Sequence, residues 1–103
     1  MRFRLAFHPL VRIDVAEASA WYEEREPSVG VRLEAEAKQM FLRLGDQASL
    51  YAVRILDVRR ANLRNFPIGV FYFITGDTVV VLGVLHGARD TEEELARRRK
   101  AMS

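Results

Sequence analysis

Cysteine is absent from this chain of 103 residues, which excludes disulfides and thiolate metal sites. Histidine is nearly absent as well: His8 and His86 lie far apart in sequence with no ligand motif around either, so neither a metal nor a cofactor is expected. No apolar run approaches the roughly 20 residues that span a bilayer. The start, Met1-Arg2-Phe3-Arg4-Leu5, runs into Ala6-Phe7-His8-Pro9 without the apolar stretch of an export signal. No membrane association is expected, and a cytoplasmic address fits. Linkers, internal repeats and low-complexity segments are also missing. With 50% of its residues hydrophobic, the chain suits a single domain over 1–103, large enough for a real core and able to fold alone or with one partner.

Lysine is the last scarcity: of 16 basic residues, 14 are arginine. The net charge is only +2, but the charges are separated. Arginines gather from Arg54 to Arg64 and from Arg97 to Lys100, whereas Glu23, Glu24, Glu26, Glu34 and Glu36 form an acidic region. Such separation suits docking on an acidic surface, either nucleic acid or an acidic protein segment, although ordinary solvated faces would look the same.

Arg2 to Phe7 alternates with Phe3, Leu5 and Phe7 on one side, the period of a half-buried strand. Pro9 opens a helical pattern running to about Arg25, with Val11, Val15, Ala18 and Tyr22 on one stripe. Glu26-Pro27-Ser28-Val29-Gly30 breaks it, and Ser28 is a candidate N-terminal cap for a second helix. That helix carries Leu33, Ala37, Met40, Phe41 and Leu44 on its apolar face, with Gly45 suited to its C-terminal cap. Tyr51 to Val58 reads as another strand. Val70 to Ile74 and Val79 to Leu85, joined by Thr75-Gly76-Asp77-Thr78, read as a buried hairpin. Asp90-Thr91 with Glu94 resembles a capping box for a last helix whose acids precede its bases. The order β-α-α-β-β-β-α predicts an α+β fold: an antiparallel sheet of about four strands, covered on one face by an N-terminal helical hairpin in two layers.

Several of these residues carry a resemblance. The element order, Trp21-Tyr22-Glu23 closing the first helix, Arg59-Arg60 followed by Leu63, Phe66-Pro67 leading into Val70-Phe71-Tyr72, and His86-x-x-Arg89-Asp90 after the last strand resemble the RelE/ParE toxin superfamily over about Leu5 to Arg99. The resemblance implies a growth-arresting toxin held inactive by a cognate antitoxin protein. It leaves two branches open: RelE-like toxins cut mRNA on the ribosome, and ParE-like toxins poison DNA gyrase.

RelE-like catalysis is implied to use a lysine pair, two arginines and a tyrosine to activate the 2′-hydroxyl, protonate the leaving oxygen and hold the phosphate. The matching positions here are Arg60 and Asn62, Gly69 and Arg89, and Leu95. Arg89 alone is retained. Arg60 is a partial substitute, since arginine stays charged and is a poor proton shuttle. A second nuclease arrangement in the superfamily uses glutamate, histidine and a C-terminal tyrosine. His86 could supply the imidazole, but Asp57 is the nearest acid and the chain ends Lys100-Ala101-Met102-Ser103. The blander reading has His86 ending a strand and bonding the neighbouring turn.

The expectation is therefore a ParE-like toxin that binds its target, DNA gyrase, through Arg59, Arg60, Arg64 and Arg89. His86, Arg89 and Arg60 are the weak catalytic candidates of the alternative, a ribosome-dependent endonuclease. A further alternative is a degenerate antitoxin-binding module without toxicity. Trp21 and Tyr22 are expected in the helix–sheet packing. An apolar groove is expected where an antitoxin segment would lie, and a homodimer could cover it in the free protein.

Overall fold

The computed structural model describes residues 2–87 and 90–102. The elements are β1 (Arg4–Phe7), α1 (Leu10–Arg25), α2 (Val29–Gln47), β2 (Val53–Ile55), β3 (Val58–Asn62), β4 (Ile68–Thr75), β5 (Thr78–His86) and α3 (Asp90–Ala101), with a 3-10 turn at Ala48–Leu50. The fold is α+β, as expected. The sheet has five strands in the order β1-β5-β4-β3-β2, and it is mixed.

Two expectations about the sheet are corrected. The stretch read as one strand from Tyr51 to Val58 turns back at Leu56-Asp57, giving a short β2 and placing Arg59 and Arg60 inside β3. β1 pairs with β5 in parallel, because the helical hairpin carries the chain across one face before the antiparallel strands begin. A third correction concerns the layers. Val70, Tyr72, Val79, Val81 and Val84 pack with Val11, Leu33, Met40 and Leu44 of the helical hairpin. Phe71, Phe73, Val80 and Leu82 pack on the opposite face with Leu95 of α3. Both faces of β4 and β5 are buried, so the sheet lies between two helical layers, and their near-continuous apolar runs reflect that placement.

Three caps also differ from expectation. Ser28 has φ 76° and makes no side-chain cap bond. Glu23 of α1 takes that role instead, its carboxylate accepting from the backbone N–H of Ser28 at 2.8 Å and of Gly30 at 2.9 Å. Gly30 also packs against the Ser19 carbonyl so closely that a Cβ there would clash, which fixes the approach of the two helices. Gly45 is not a cap, since α2 continues to Gln47. At α3 the Thr91 hydroxyl donates to the His86 carbonyl at 2.7 Å, and Glu94 pairs forward with Arg97 and Arg98, so no capping box forms between them. The Asp90 side chain lies outside the described residues.

The 3-10 turn is tied down by Tyr72, whose buried hydroxyl donates to the Ala48 carbonyl at 2.6 Å. Burial pushes the Tyr72 phenol up to about 12 from its ordinary 10.0. Its folded value stands above its unfolded one, so its contribution to stability is complete below pH 10.0 and is lost as the pH rises toward about 12.

The β5 edge carries a device that the sequence did not announce. β1 pairs with β5 only as far as Val81, and there Leu82 is an extra residue, since Phe71 faces Gly83 while Tyr72 faces Val81. Beyond that bulge the edge groups of β5 are met by an ion pair. Asp14 of α1 accepts from the Val84 N–H at 3.0 Å, and Arg98 of α3 donates to the Leu82 carbonyl at 2.9 Å. The two side chains join each other at 2.7 and 3.1 Å. Burial works to lower the Arg98 pKa, but its bonds to Asp14 and Glu94 outweigh it and hold the value above the ordinary one.

Candidate functional site

Adjacent residues on a strand point to opposite faces, and this separates the arginines grouped by sequence. Arg59 lies opposite Tyr72, on the helical-hairpin face, where its guanidinium donates to the carbonyls of Tyr51 at 2.7 Å and Ser49 at 3.2 Å. Arg60 lies opposite Phe71, on the α3 face. Arg64 is exposed beyond β3 and, with Arg32 and Arg43 of α2, lines a hollow of about 320 Å³. Arg89 lies outside the described residues. The predicted contacts therefore do not form one surface.

Around Arg60 a site does assemble. A cavity of about 250 Å³ is lined by Arg54, Arg60, Phe71, Gly87, Leu95 and the start of α3. Arg60 lies over the Phe71 ring with its central carbon 5.3 Å from the centroid, and its Nε donates to the Asn62 side-chain oxygen at 2.5 Å. Two glycines leave room for it. A Cβ on Gly69 would lie 2.7 Å from the Arg60 Nε, and one on Gly87 would lie 2.7 and 2.8 Å from its terminal nitrogens. Among the described residues neither Arg54 nor Arg60 has an acidic partner within 4.0 Å. The result is a positioned, half-buried guanidinium with donors to spare, beside an exposed second arginine.

Three positions of the implied nuclease set, Arg60, Gly69 and Leu95, also meet here, and the last two lack the side chains that RelE-like catalysis is implied to use. The Gly69 position offers no side chain, and the space there is filled by the Arg60 stem. Leu95 is fully buried in the α3-side core, so no hydroxyl stands at its position. Asp57 is held below the usual carboxylate range by its bonds to Arg99, both oxygens accepting at 2.9 Å. His86 ends β5 as expected, but its ring stacks on Tyr22 of α1 with centroids 6.3 Å apart, on the face away from Arg60. Two groups of the neighbouring chemistry remain, the Thr91 hydroxyl and the Glu92 carboxylate, and the hydroxyl is committed to His86. What the cavity can do chemically is bind an anionic group by charge-assisted hydrogen bonds. Among the described residues no group of three or more His, Asp or Glu is placed to hold a metal ion.

Sequence reasoning missed Arg54 and Gly87. The signal for Arg54 was the turn that folds β2 back along β3 and brings it to the cavity of Arg60, which a single continuous strand from Tyr51 to Val58 concealed. Trp21 was expected in the packing, yet it is 48% exposed with Arg25 lying over its ring at 3.4 Å. Tyr22 does pack, edge-on to Phe66 at 5.0 Å. His8 follows β1 directly, and its Nδ1 accepts from the Leu10 N–H at 3.0 Å.

The chain is similar in structure to "Chromosomal ParDE TA system from P. aeruginosa", with a TM-score of 0.74 over 82% of this chain and 96% of that one, at 15% identity. At that identity the likeness shows the fold alone. The family model described as ParE toxin of type II toxin-antitoxin system, parDE, matches residues 5–91, and the chain belongs to that family. No curated protein matches it in sequence.

Proposed function

We propose that this ParE-family protein arrests growth in the cytoplasm by binding DNA gyrase through the cationic cavity of Arg54 and Arg60, and that a cognate antitoxin neutralises it. The observation that carries the reading is Arg60: its guanidinium is positioned between Phe71 and two glycines, with its terminal donors unengaged by any acid among the described residues. The implied nuclease positions at Gly69 and Leu95, which carry neither an arginine nor a tyrosine, favour binding over RNA cleavage.

An antitoxin site is supported on the other side of the molecule. A cavity of about 600 Å³ lies away from Arg54 and Arg60, along α1, where Phe7, Val11, Val15 and Phe41 line it. Phe7 is 45% exposed, so part of this apolar surface is open to solvent. Such a trough suits the apolar face of a partner segment. Two separate surfaces mean that neutralisation need not compete directly for Arg60.

Induction of the protein alone is expected to halt growth, and co-expression of a cognate antitoxin is expected to restore it. Colony counts with and without that antitoxin test the reading. Undiminished growth on induction of the protein alone would instead match a module that has lost toxicity.

A further inference from the structure

The sheet contains two hairpins joined by two residues each, Leu56-Asp57 between β2 and β3 and Gly76-Asp77 between β4 and β5. Their backbones match at the first position, with φ 53° at Leu56 and 59° at Gly76. Glycine occupies this left-handed region freely, whereas any Cβ there crowds the backbone. In β4–β5 the chain uses glycine. In β2–β3 it uses leucine, the only described non-glycine residue besides Ser28 with a positive φ.

Packing does not compensate that strain, because Leu56 is 63% exposed. Nor is the tip left to relax: Asp57 is joined to Arg99 through both carboxylate oxygens, and Arg99 lies over the Phe73 ring at 3.8 Å. A strained, braced and water-exposed leucine does nothing for the isolated fold, and residues held in this way cluster at functional surfaces. Its surroundings indicate what would cover it. Leu50 and Val53 are 77% and 49% exposed on the same short stretch. Arg54 belongs to the same hairpin and opens into the cavity that holds Arg60.

We infer that Leu56 is an apolar anchor of the target-binding surface, inserted into an apolar recess of a partner protein whose acidic rim meets Arg54 and Arg60. The inference rests on the target-binding reading above and locates its centre at the β2–β3 tip. A second copy of this chain is a poor occupant, because a two-fold contact at the tip would bring Arg54 and Arg60 toward their own equivalents.

The test is Leu56→Gly, which removes the side chain and relieves the backbone together. Its melting temperature is expected to equal or exceed that of the unaltered protein, and its neutralisation by co-expressed antitoxin to persist. Growth arrest is expected to need at least about ten times more inducer, the loss that corresponds to a contact worth 1.4 kcal/mol. A melting temperature that falls by several degrees would show Leu56 serving the fold and overturn the inference. Growth arrest by Leu56→Gly equal to that of the unaltered protein would also overturn it, while leaving the toxin reading intact. Failure of the unaltered protein to arrest growth would overturn the toxin reading and this inference with it. Fluorescence anisotropy with labelled duplex DNA supplies the remaining arm. Tight binding that Leu56→Gly abolishes would mean a nucleic-acid wedge and overturn the protein partner.

Discussion

Asp14→Ala is expected to lower the free energy of unfolding by about 3 to 5 kcal/mol, the usual cost of leaving half of a buried ion pair without its partner. The side chains of Arg98 and Asp14 are only 8% and 5% exposed, so water does not screen the loss. By contrast, Arg97–Glu93, with exposures of 65% and 82%, should contribute little. Against a total of about 5 to 15 kcal/mol for a small domain, the Asp14 change alone would bring the protein near unfolding. Arg98→Ala should be similar. The double variant should be less destabilised than the sum of the two, because no lone charge remains. It should still fall short of the unaltered protein, since the Val84 N–H and the Leu82 carbonyl lose their partners in that variant. Urea unfolding of the four proteins, read as a double-mutant cycle, measures both effects. Additive losses would contradict the account of a coupled pair.

Arg60→Met is expected to leave the fold nearly unchanged and to abolish growth arrest. Methionine keeps an apolar stem against Phe71 while removing the charge, so the change isolates the guanidinium. Charge-assisted bonds to a partner are worth about 1.5 to 3 kcal/mol, which corresponds to a loss of roughly ten- to a hundred-fold in affinity. Gly87→Ala should act on the same group from outside. Its new Cβ would stand 2.7 and 2.8 Å from the Arg60 terminal nitrogens, so the guanidinium must swing away while the backbone stays. The two variants should agree: melting temperatures close to the unaltered value and a strongly reduced arrest on induction. Full toxicity in both would remove Arg60 from the target surface.

Most of the architecture was legible because it rests on periodicity. The stripe of Val11, Val15, Ala18 and Tyr22 and that of Leu33, Ala37, Met40 and Leu44 fix the helical hairpin, and the runs at Val70 and Val79 fix the central strands. What was not legible depends on tertiary partners. The turn at Leu56-Asp57 contains no glycine, so nothing in composition separates β2 from β3. α3 shows its apolar side mainly through Leu95, too little to reveal that it covers the second face. The Asp14–Arg98 pair joins residues 84 apart in sequence, and each alone looks like a solvated helix position. At the candidate site, three positions that the resemblance singled out, Arg60, Gly69 and Leu95, lie together around Phe71. The resemblance could not divide Arg59 from Arg60, because that division depends on which face each residue of β3 presents.

The proposal that this protein binds gyrase and does not cut RNA is tested most directly with purified components. Incubated with DNA gyrase, plasmid and ATP, the protein is expected to accumulate cleaved gyrase–DNA complexes, and Arg60→Met is expected to abolish that effect. Incubated instead with translating ribosomes, it is expected to leave mRNA intact. Ribosome-dependent mRNA cleavage that disappears in His86→Ala, with no effect on gyrase, would contradict the account.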